Sequence, residues 1–240
     1  MRTLSTMWLW LCVALTLPIA YVLGLVILAA TFWFDPHRQL LQRLVCFWCH
    51  QYLRCWPLWR VRIEGLEHLP TGPCVLIANH QSMADILALM GLPVPFKFVS
   101  KASLFSIPLI GLMMRLMKYV PIERNRLQSM SSMMEQCVTL IRAGQSVLLF
   151  PEGTYASGLA RLPFKKGAFR IAQMAQVPIV PIVVTGTSEL VFEDGPSFAP
   201  RASVVVTVMP PLAPLPLGAD DDDHFVTDVQ ARYAAWLGII

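Results

Sequence analysis

Charged side chains are scarce in this chain: Asp, Glu, Lys and Arg together make up 14% of its 240 residues, against 55% hydrophobic residues. Because an ordinary soluble domain carries about a quarter charged residues, this composition favours a protein that works at a membrane. The net charge of +4 is small, and the basic residues are scattered. The charge therefore argues against nucleic acid as a partner and suits anionic lipids or phosphorylated substrates.

Several catalytic and binding motifs are also missing. The chain has no G-x-S-x-G elbow, no Walker loop, no dinucleotide fingerprint and no metal-ligand spacing, so the sequence predicts neither a metal nor a cofactor. The six cysteines lie mostly in apolar runs and are interpreted as small hydrophobic residues in a reducing compartment. Cys46, Cys49 and His50 match the haem-attachment string C-x-x-C-H, but an amphipathic helix beside a membrane is the simpler interpretation.

An apolar segment without any charge runs from Met7 to Phe34. It exceeds the roughly 20 residues that a helix needs to cross a hydrocarbon core. It is also too long for the apolar region of a signal peptide, and no clean cleavage site follows, so we expect it to be retained as an anchor. Pro18 is expected to kink the helix or to divide it into two pieces. The sequence leaves open whether the segment spans the membrane or enters it and returns.

A second, amphipathic stretch follows. From Gln39 to Arg60 the apolar and polar residues fall largely on different faces, which predicts a helix lying in the membrane interface. Arginines are concentrated after the apolar segment, whereas Arg2 alone precedes it. If the segment spans, the positive-inside rule puts the rest of the chain in the cytoplasm. We therefore expect residues 1–60 to anchor the chain to the inner, cytoplasmic membrane, with the remainder on its cytoplasmic face.

The pattern changes from about Val61, where short apolar runs begin to alternate with helical patterns. The predicted strands are Cys74–Ala78, Phe96–Ser100, Tyr119–Ile122, Ser146–Phe150, Ile179–Val184 and Ser203–Val208. The predicted helices are Ser82–Met90, Ile107–Met117, Leu127–Ala143, Lys166–Gln176 and His224–Leu237. This alternation predicts an α/β domain over residues 61–240, with a central, mostly parallel sheet flanked by helices.

The most informative polar residues follow the first of these strands. Asn79-His80 stands at its carboxyl end, where ligands collect in α/β folds, and Asp85 lies in the first turn of the next predicted helix. The turn between them lets the carboxylate fold back onto the imidazole and hold it as a base. The alternative is that Asp85 only caps the helix together with Ser82. The two roles are compatible.

A second polar stretch, Phe150-Pro151-Glu152-Gly153-Thr154, closes the strand Ser146–Phe150. It again puts polar groups and a glycine at the carboxyl end of a strand. Glu152 is a candidate for binding hydroxyl groups or for positioning a basic residue, and the alternative is an ordinary turn with a solvated carboxylate.

Taken together, these stretches resemble the glycerolipid acyltransferase family, and specifically its bacterial 1-acyl-sn-glycerol-3-phosphate (lysophosphatidic acid) acyltransferases. Order and spacing agree over about residues 61–208. The family's motifs are matched by N-H-x-x-x-x-D at Asn79, His80 and Asp85, by Val120–Arg124, by F-P-E-G-T at Phe150–Thr154, by Val177–Ile182 and, more loosely, by Phe164–Ala168. Four motifs in order are far more specific than any one of them.

The resemblance implies the reaction. A fatty acyl group would pass from acyl-CoA or an acyl carrier protein to the sn-2 hydroxyl of lysophosphatidic acid, which forms phosphatidic acid for phospholipid biosynthesis. His80 would be the general base and Asp85 would orient it. A covalent acyl-enzyme is not expected, because the chain offers no obvious nucleophile. The methionines of two predicted helices are expected mainly in the core, with the lining of an acyl-chain groove as the alternative.

The resemblance also implies the substrate contacts. These are expected from Arg124, Glu152, Gly153, Thr154, Lys101 and Lys165, with help from Lys166. One departure is Tyr155, which stands where the family usually has arginine. It leaves room for another lysolipid acceptor, such as lyso-ornithine lipid. A non-catalytic lipid-binding protein at the membrane is the alternative from a different class, and the simple alternative for Arg124 is an ion pair with Glu123.

Overall fold

The first part of the chain forms two helices. The computed structural model describes residues 1–124, 126–154, 162–192, 197–217 and 222–238. Helix α1, Arg2–Thr31, is one helix with Pro18 inside it, so the proline does not divide the segment. It is the one helix in these ranges that is long and apolar enough to cross a membrane. Helix α2, Gln39–Tyr52, follows after a short turn. The carboxylate of Asp35 stabilises its N-terminus, because it accepts hydrogen bonds from the first two helical backbone N–H groups, each at 2.9 Å.

Helix α2 is shorter than predicted. It ends at Tyr52, and strand β1, Trp59–Glu64, starts where the amphipathic helix was expected to finish. Pro57 lies between the two elements, where its missing N–H disfavours a continuing helix. From Trp59 the residues alternate between apolar and polar, a strand pattern that our prediction overlooked. The prediction of a helix up to Arg60 is therefore wrong over its last turns.

The rest of the described chain alternates between strands and helices. The strands are β2 Val75–Ala78, β3 Phe96–Lys101, β4 Val120–Ile122, β5 Ser146–Leu149, β6 Ile179–Thr185 and β7 Ala202–Val208. The helices are α3 Ala84–Leu89, α4 Ile110–Leu116, α5 Leu127–Arg142, α6 Gly167–Ala175, α7 Thr187–Leu190 and α8 Asp222–Trp236. The six predicted strands and five predicted helices of this region are confirmed, with bounds that differ by a few residues.

All seven strands form one sheet in the order β1-β7-β6-β2-β5-β3-β4. Every neighbouring pair is parallel except β6 and β7, so the sheet is mixed but mostly parallel, as predicted. Strand β2 lies between β5 and β6. Its carboxyl end therefore meets the carboxyl ends of two parallel neighbours, which concentrates the following loops at one edge of the sheet.

A hydrophobic core fills each face of the sheet. Leu76 and Ala78 of β2 point to a core shared with α1, α2, α3 and α4, whereas Val75 and Ile77 point to a core shared with α5, α6 and α8. This alternation follows from the two-residue period of a strand. The four residues of β2 are fully buried. The strand that carries the histidine motif is thus held from both sides.

Lys97 is an unusual charge in this interior. Its side chain is fully buried, and among the described residues no group forms a hydrogen bond with Nζ. Burial lowers the pKa of Lys97 from 10.5 to about 8, opposed in part by the negative charge of Asp35. Below pH 8 both the folded and the unfolded chain carry the proton, so folding bears the whole cost of burying an ammonium group. Between pH 8 and 10.5 the lysine of the folded chain loses its proton while that of the unfolded chain keeps it. The free energy of unfolding therefore rises with pH across this range, and the cost of burying the charge is lost.

Replacing this lysine with an unbranched apolar residue should stabilise the protein. We expect Lys97→Met to raise the free energy of unfolding at pH 7 by on the order of 2 kcal/mol, and by clearly less at pH 10. Denaturant unfolding in detergent at the two pH values measures both effects. Lys118→Met is the control for loss of an exposed lysine nearby; it relieves only the repulsion between the two ammonium groups, so its gain should be much smaller. A gain for Lys97→Met that is the same at both pH values would contradict the assigned cause.

Candidate active site

The site begins where β2 ends. The side chain of Asn79 pairs with the backbone of Val184 on β6: its Nδ2 donates to the carbonyl oxygen at 2.8 Å, and its Oδ1 accepts from the backbone N–H at 2.7 Å. The amide thus continues the ladder between β2 and β6 past the last strand residue, Ala78. This pairing fixes the backbone from which His80 projects.

His80 and Asp85 form the expected pair. Nδ1 of His80 lies 2.8 Å from Oδ2 of Asp85, and because a carboxylate only accepts, Nδ1 carries the hydrogen. The same Oδ2 accepts from the backbone N–H groups of Gln81 at 2.7 Å and Ser82 at 2.8 Å. The other oxygen, Oδ1, accepts from the hydroxyl of Thr187. Asp85 therefore closes the turn before α3 and also holds the imidazole.

The imidazole is held on its face as well. The ring of Phe150 stacks on that of His80, with centroids 3.9 Å apart and planes inclined by 15°. In the register of β2 and β5, Ile77 pairs with Leu149, so Phe150 follows opposite Ala78 and its ring reaches forward to His80, two residues further on the same face. One contact in the ring plane and one on its face leave the imidazole little freedom to rotate. Sequence reasoning missed this role, although Phe150 opens the F-P-E-G-T motif.

Glu152 lies against the segment after β2 that carries His80, called the histidine loop below. It is 8% exposed, and its Oε1 is 3.4 Å from the backbone N of His80. It is not among the residues that line the cavity described below. Of the two roles considered for this residue, the position favours support of the histidine loop over direct contact with a ligand.

Gly153 is required by its surroundings. Its φ of +77° lies in the left-handed region, and a Cβ at this position would stand 3.0 Å from Nζ of Lys165. The backbone N–H of Lys165 donates to the carbonyl oxygen of Pro151 at 2.8 Å. The chain thus returns to the F-P-E-G-T turn from beyond residues 155–161 and lays the Lys165 side chain over the glycine. Tyr155 itself lies outside the described residues.

A cavity of about 410 Å³ opens beside His80. Predicted site residues at its wall are His80, Lys101, Arg124, Gly153, Thr154 and Lys165. The fully buried Asp85 lies behind His80. Much of the remaining wall is apolar: Met83, Ile86, Phe98, Val99, Leu104, Ile122, Met130, Met133 and Leu149. The cavity therefore joins three cationic side chains, an oriented imidazole and a hydrophobic surface.

Arg124 lines the cavity, whereas Lys166 does not. Glu123 is bound by Arg126 at 2.9 Å, so the ion pair considered for Arg124 is formed by another arginine, and Arg124 lines the cavity instead. Lys166, considered as a helper, pairs with Asp223 at 2.8 Å and is not among the cavity-lining residues.

The methionines divide between the two predicted environments. Met114 and Met117 of the α4 region are buried in the core. Met130 and Met133 of α5 line the cavity, and Met133 is at the same time a buried residue of the core beneath α5. A flexible thioether adapts readily to chains of different shape, so these two side chains suit a hydrophobic ligand.

The fold and the site define an α/β protein in which a buried carboxylate orients a histidine at the wall of a cationic and apolar cavity. A family model described as "Acyltransferase" matches residues 60–185, more than half of the chain. The chain therefore belongs to the Acyltransferase family, and the resemblance read from the motifs is confirmed.

Relatives and a solved structure agree with this assignment. The chain is 34% identical over 206 residues to a chloroplastic 1-acyl-sn-glycerol-3-phosphate acyltransferase of Arabidopsis thaliana, covering 84% of this chain and 57% of that protein. It is 36% identical over 165 residues to the alpha 1-acyl-sn-glycerol-3-phosphate acyltransferase of Homo sapiens, covering 68% and 58%. The chain thus spans less than two thirds of these relatives.

The structural match covers the entire chain. The crystal structure of the 1-acyl-sn-glycerophosphate acyltransferase PlsC from Thermotoga maritima superposes with a TM-score of 0.76, over 100% of this chain and 97% of that one, at 23% sequence identity. At this identity the match shows that the two chains share a fold.

The contact between Gly153 and Lys165 can be tested with a matched pair of glycines. Gly153→Ala and Gly144→Ala each force a Cβ into the left-handed region, at φ +77° and +82°, and each should cost about 1–2 kcal/mol of stability. Nothing lies within 4 Å of a Cβ at Gly144, whereas a Cβ at Gly153 presses on the end of the Lys165 side chain, 3.0 Å from Nζ, and shifts it by a few tenths of an ångström.

We expect the two alanine variants to unfold at similar denaturant concentrations. In the acyl-transfer reaction that is proposed in the next subsection, only Gly153→Ala is expected to lose activity. Equal activity in the two variants would show that the position of Lys165 does not matter.

Proposed function

We propose that this chain transfers a fatty acyl group from acyl-CoA or acyl carrier protein to the sn-2 hydroxyl of lysophosphatidic acid and so forms phosphatidic acid. The observation that carries the proposal is the Asp85-oriented His80 at the wall of a cavity that is both cationic and apolar. Such a cavity suits an acceptor with one phosphate and one acyl chain. The names of the related proteins, which are 1-acyl-sn-glycerol-3-phosphate acyltransferases, support the proposed acceptor and the transfer of an acyl group.

The chemistry needs one base and no covalent intermediate. With its hydrogen on Nδ1, His80 presents a lone pair on Nε2, which takes the proton of the acceptor hydroxyl. The oxygen attacks the thioester carbonyl, and the C–S bond breaks as the new ester C–O bond forms. The imidazolium then returns its proton to the departing thiolate. Asp85, buried and negatively charged, stabilises the imidazolium between these two steps.

The cations of the cavity are proposed to hold the acceptor phosphate. Arg124 offers a planar fork of donors, and Lys101 and Lys165 add two ammonium groups. Gly153 and Thr154 are proposed to contact the substrate beside them, and Glu152 to support the histidine loop. The apolar wall would receive an acyl chain.

The membrane is the proposed site of action. Helix α1 exposes a continuous set of large apolar side chains, among them Leu11, Leu15, Ile19, Val22 and Val26. Exposure of this extent marks a surface that is covered by lipid or by another protein. We propose that residues 1–60 anchor the chain at the inner membrane and that residues 61–240 form the acyltransferase domain on its cytoplasmic face. No metal or cofactor enters the proposed reaction.

The acceptor has one rival within the same chemistry. Tyr155 stands where the family usually has an arginine, so the sequence has one positive charge fewer after the F-P-E-G-T motif. A lysolipid with a different head group, such as lyso-ornithine lipid, is therefore the alternative acceptor. A protein that only binds lipid would have no need of an oriented imidazole, so the His80–Asp85 geometry counts against that reading.

Removing the base tests the mechanism. We expect His80→Ala to lower the rate of CoA release at least about a hundredfold, the usual contribution of a general base. His224→Ala is the control, since His224 is exposed on α8, and it should keep full activity. A His80→Ala variant that retains activity would show the mechanism to be wrong.

A panel of lysolipids tests the acceptor. Purified protein in detergent, supplied with acyl-CoA or acyl carrier protein donors, should use lysophosphatidic acid best. Arg124→Ala should raise KM for lysophosphatidic acid about tenfold, by loss of a charge-assisted contact with the phosphate. Arg126→Ala, which removes the partner of Glu123, should leave KM unchanged. Preference for an amino-acid lysolipid would overturn the acceptor assignment and leave the chemistry intact.

A further inference from the structure

Thr187 stands apart from the motifs that the sequence singles out. It is fully buried, and it begins α7 directly after the turn that ends β6. Its hydroxyl donates to Oδ1 of Asp85, a residue 102 positions earlier in the chain. This bond ties a segment outside the histidine motif to the carboxylate that holds the proposed base.

The bond completes the coordination of a buried charge. Asp85 is fully buried, and its Oδ2 already accepts from His80 and from the two backbone N–H groups of the turn. All three of these donors bind the same oxygen, Oδ2. By themselves they would allow the carboxylate to rotate about that oxygen. Thr187 holds the other oxygen. Two fixed oxygens define the carboxylate plane, and that plane sets the direction in which the imidazole points.

The segment that carries Thr187 is itself held in place. Gly186 has a φ of +79°, and a Cβ at this position would stand 1.9 Å from the carbonyl oxygen of Ser203, so the turn packs directly against β7. Two residues earlier, Val184 pairs with the side chain of Asn79. The segment from the end of β6 to the start of α7 therefore contacts the histidine motif twice: Val184 binds Asn79, before His80, and Thr187 binds Asp85, after it.

We propose that Thr187 is a positioning residue for His80, acting through Asp85, and that the turn from β6 to α7 is a working part of the active site. The inference rests on the proposed function, in which His80 is the base. A residue in this role affects the chemical step and leaves substrate binding alone, because it touches neither the cavity nor the substrate. Thr187 is not among the residues that line the cavity.

The experiment compares side chains that differ in their ability to donate. Thr187→Val keeps the branched shape and removes the hydroxyl, Thr187→Cys offers a weaker donor, and Thr187→Ser keeps the hydroxyl. We expect kcat to fall about tenfold or more for Val, less for Cys and within about threefold for Ser, with KM for lysophosphatidic acid unchanged in all three. Thermal unfolding of each variant is recorded beside the kinetics.

Thr185→Val is the matched control. It makes the same substitution two residues earlier on the same segment, at a half-buried position, and it should leave kcat unchanged. If kcat follows the unfolding temperature of the variants and not the donor strength of residue 187, Thr187 only stabilises the fold. The inference is also overturned if Thr187→Val raises KM and leaves kcat intact.

A second measurement separates this inference from the proposed function. In an Asp85→Asn background the hydroxyl has lost its carboxylate, so adding Thr187→Val should reduce kcat by much less than it does alone. Equal losses in both backgrounds would show that Thr187 does not act through Asp85. If His80→Ala loses activity and Thr187→Val does not, the positioning role alone fails. If His80→Ala stays active, the proposed mechanism fails first.

Discussion

The site depends on a single buried carboxylate. Asp85 is removed from solvent, and an isolated charge in such a position would be costly. Four donors compensate it, from the imidazole of His80, two backbone N–H groups of the following turn and the hydroxyl of Thr187. The carboxylate thereby joins the end of β2, the start of α3 and the start of α7. The same set of contacts compensates the buried charge and orients the imidazole of His80.

The order of the sheet makes this possible. Strand β2 runs parallel to β5 on one side and to β6 on the other, so three carboxyl ends lie together. Phe150, the first residue after β5, stacks on His80. Val184 of β6 pairs with Asn79, and Thr187, at the start of α7 just after β6, donates to Asp85. Each neighbour of the central strand supports the histidine from a different direction. Full burial of β2 keeps this arrangement rigid.

The cavity combines a cationic and an apolar surface. Cationic side chains come from the end of β3, from the segment after β4 and from the segment that follows the F-P-E-G-T turn, whereas the apolar wall includes side chains of α3 and α5. A lysophospholipid needs both, since its phosphate and its acyl chain must be held at once. The exposed apolar surface of α1 suits a substrate that arrives from a lipid phase.

Local features could be predicted from the sequence: the long apolar helix, the alternation of strands and helices, and the pairing of His80 with Asp85, which lie five positions apart around one turn. Each depends on periodicity or short-range geometry, which a single chain segment contains. The prediction misjudged the end of α2, where the alternating residues of β1 find their partner only in β7, far along the chain. Tertiary structure alone decided that Thr187 binds Asp85 and that Phe150 covers His80, because strand order brings those residues together and no local pattern encodes it.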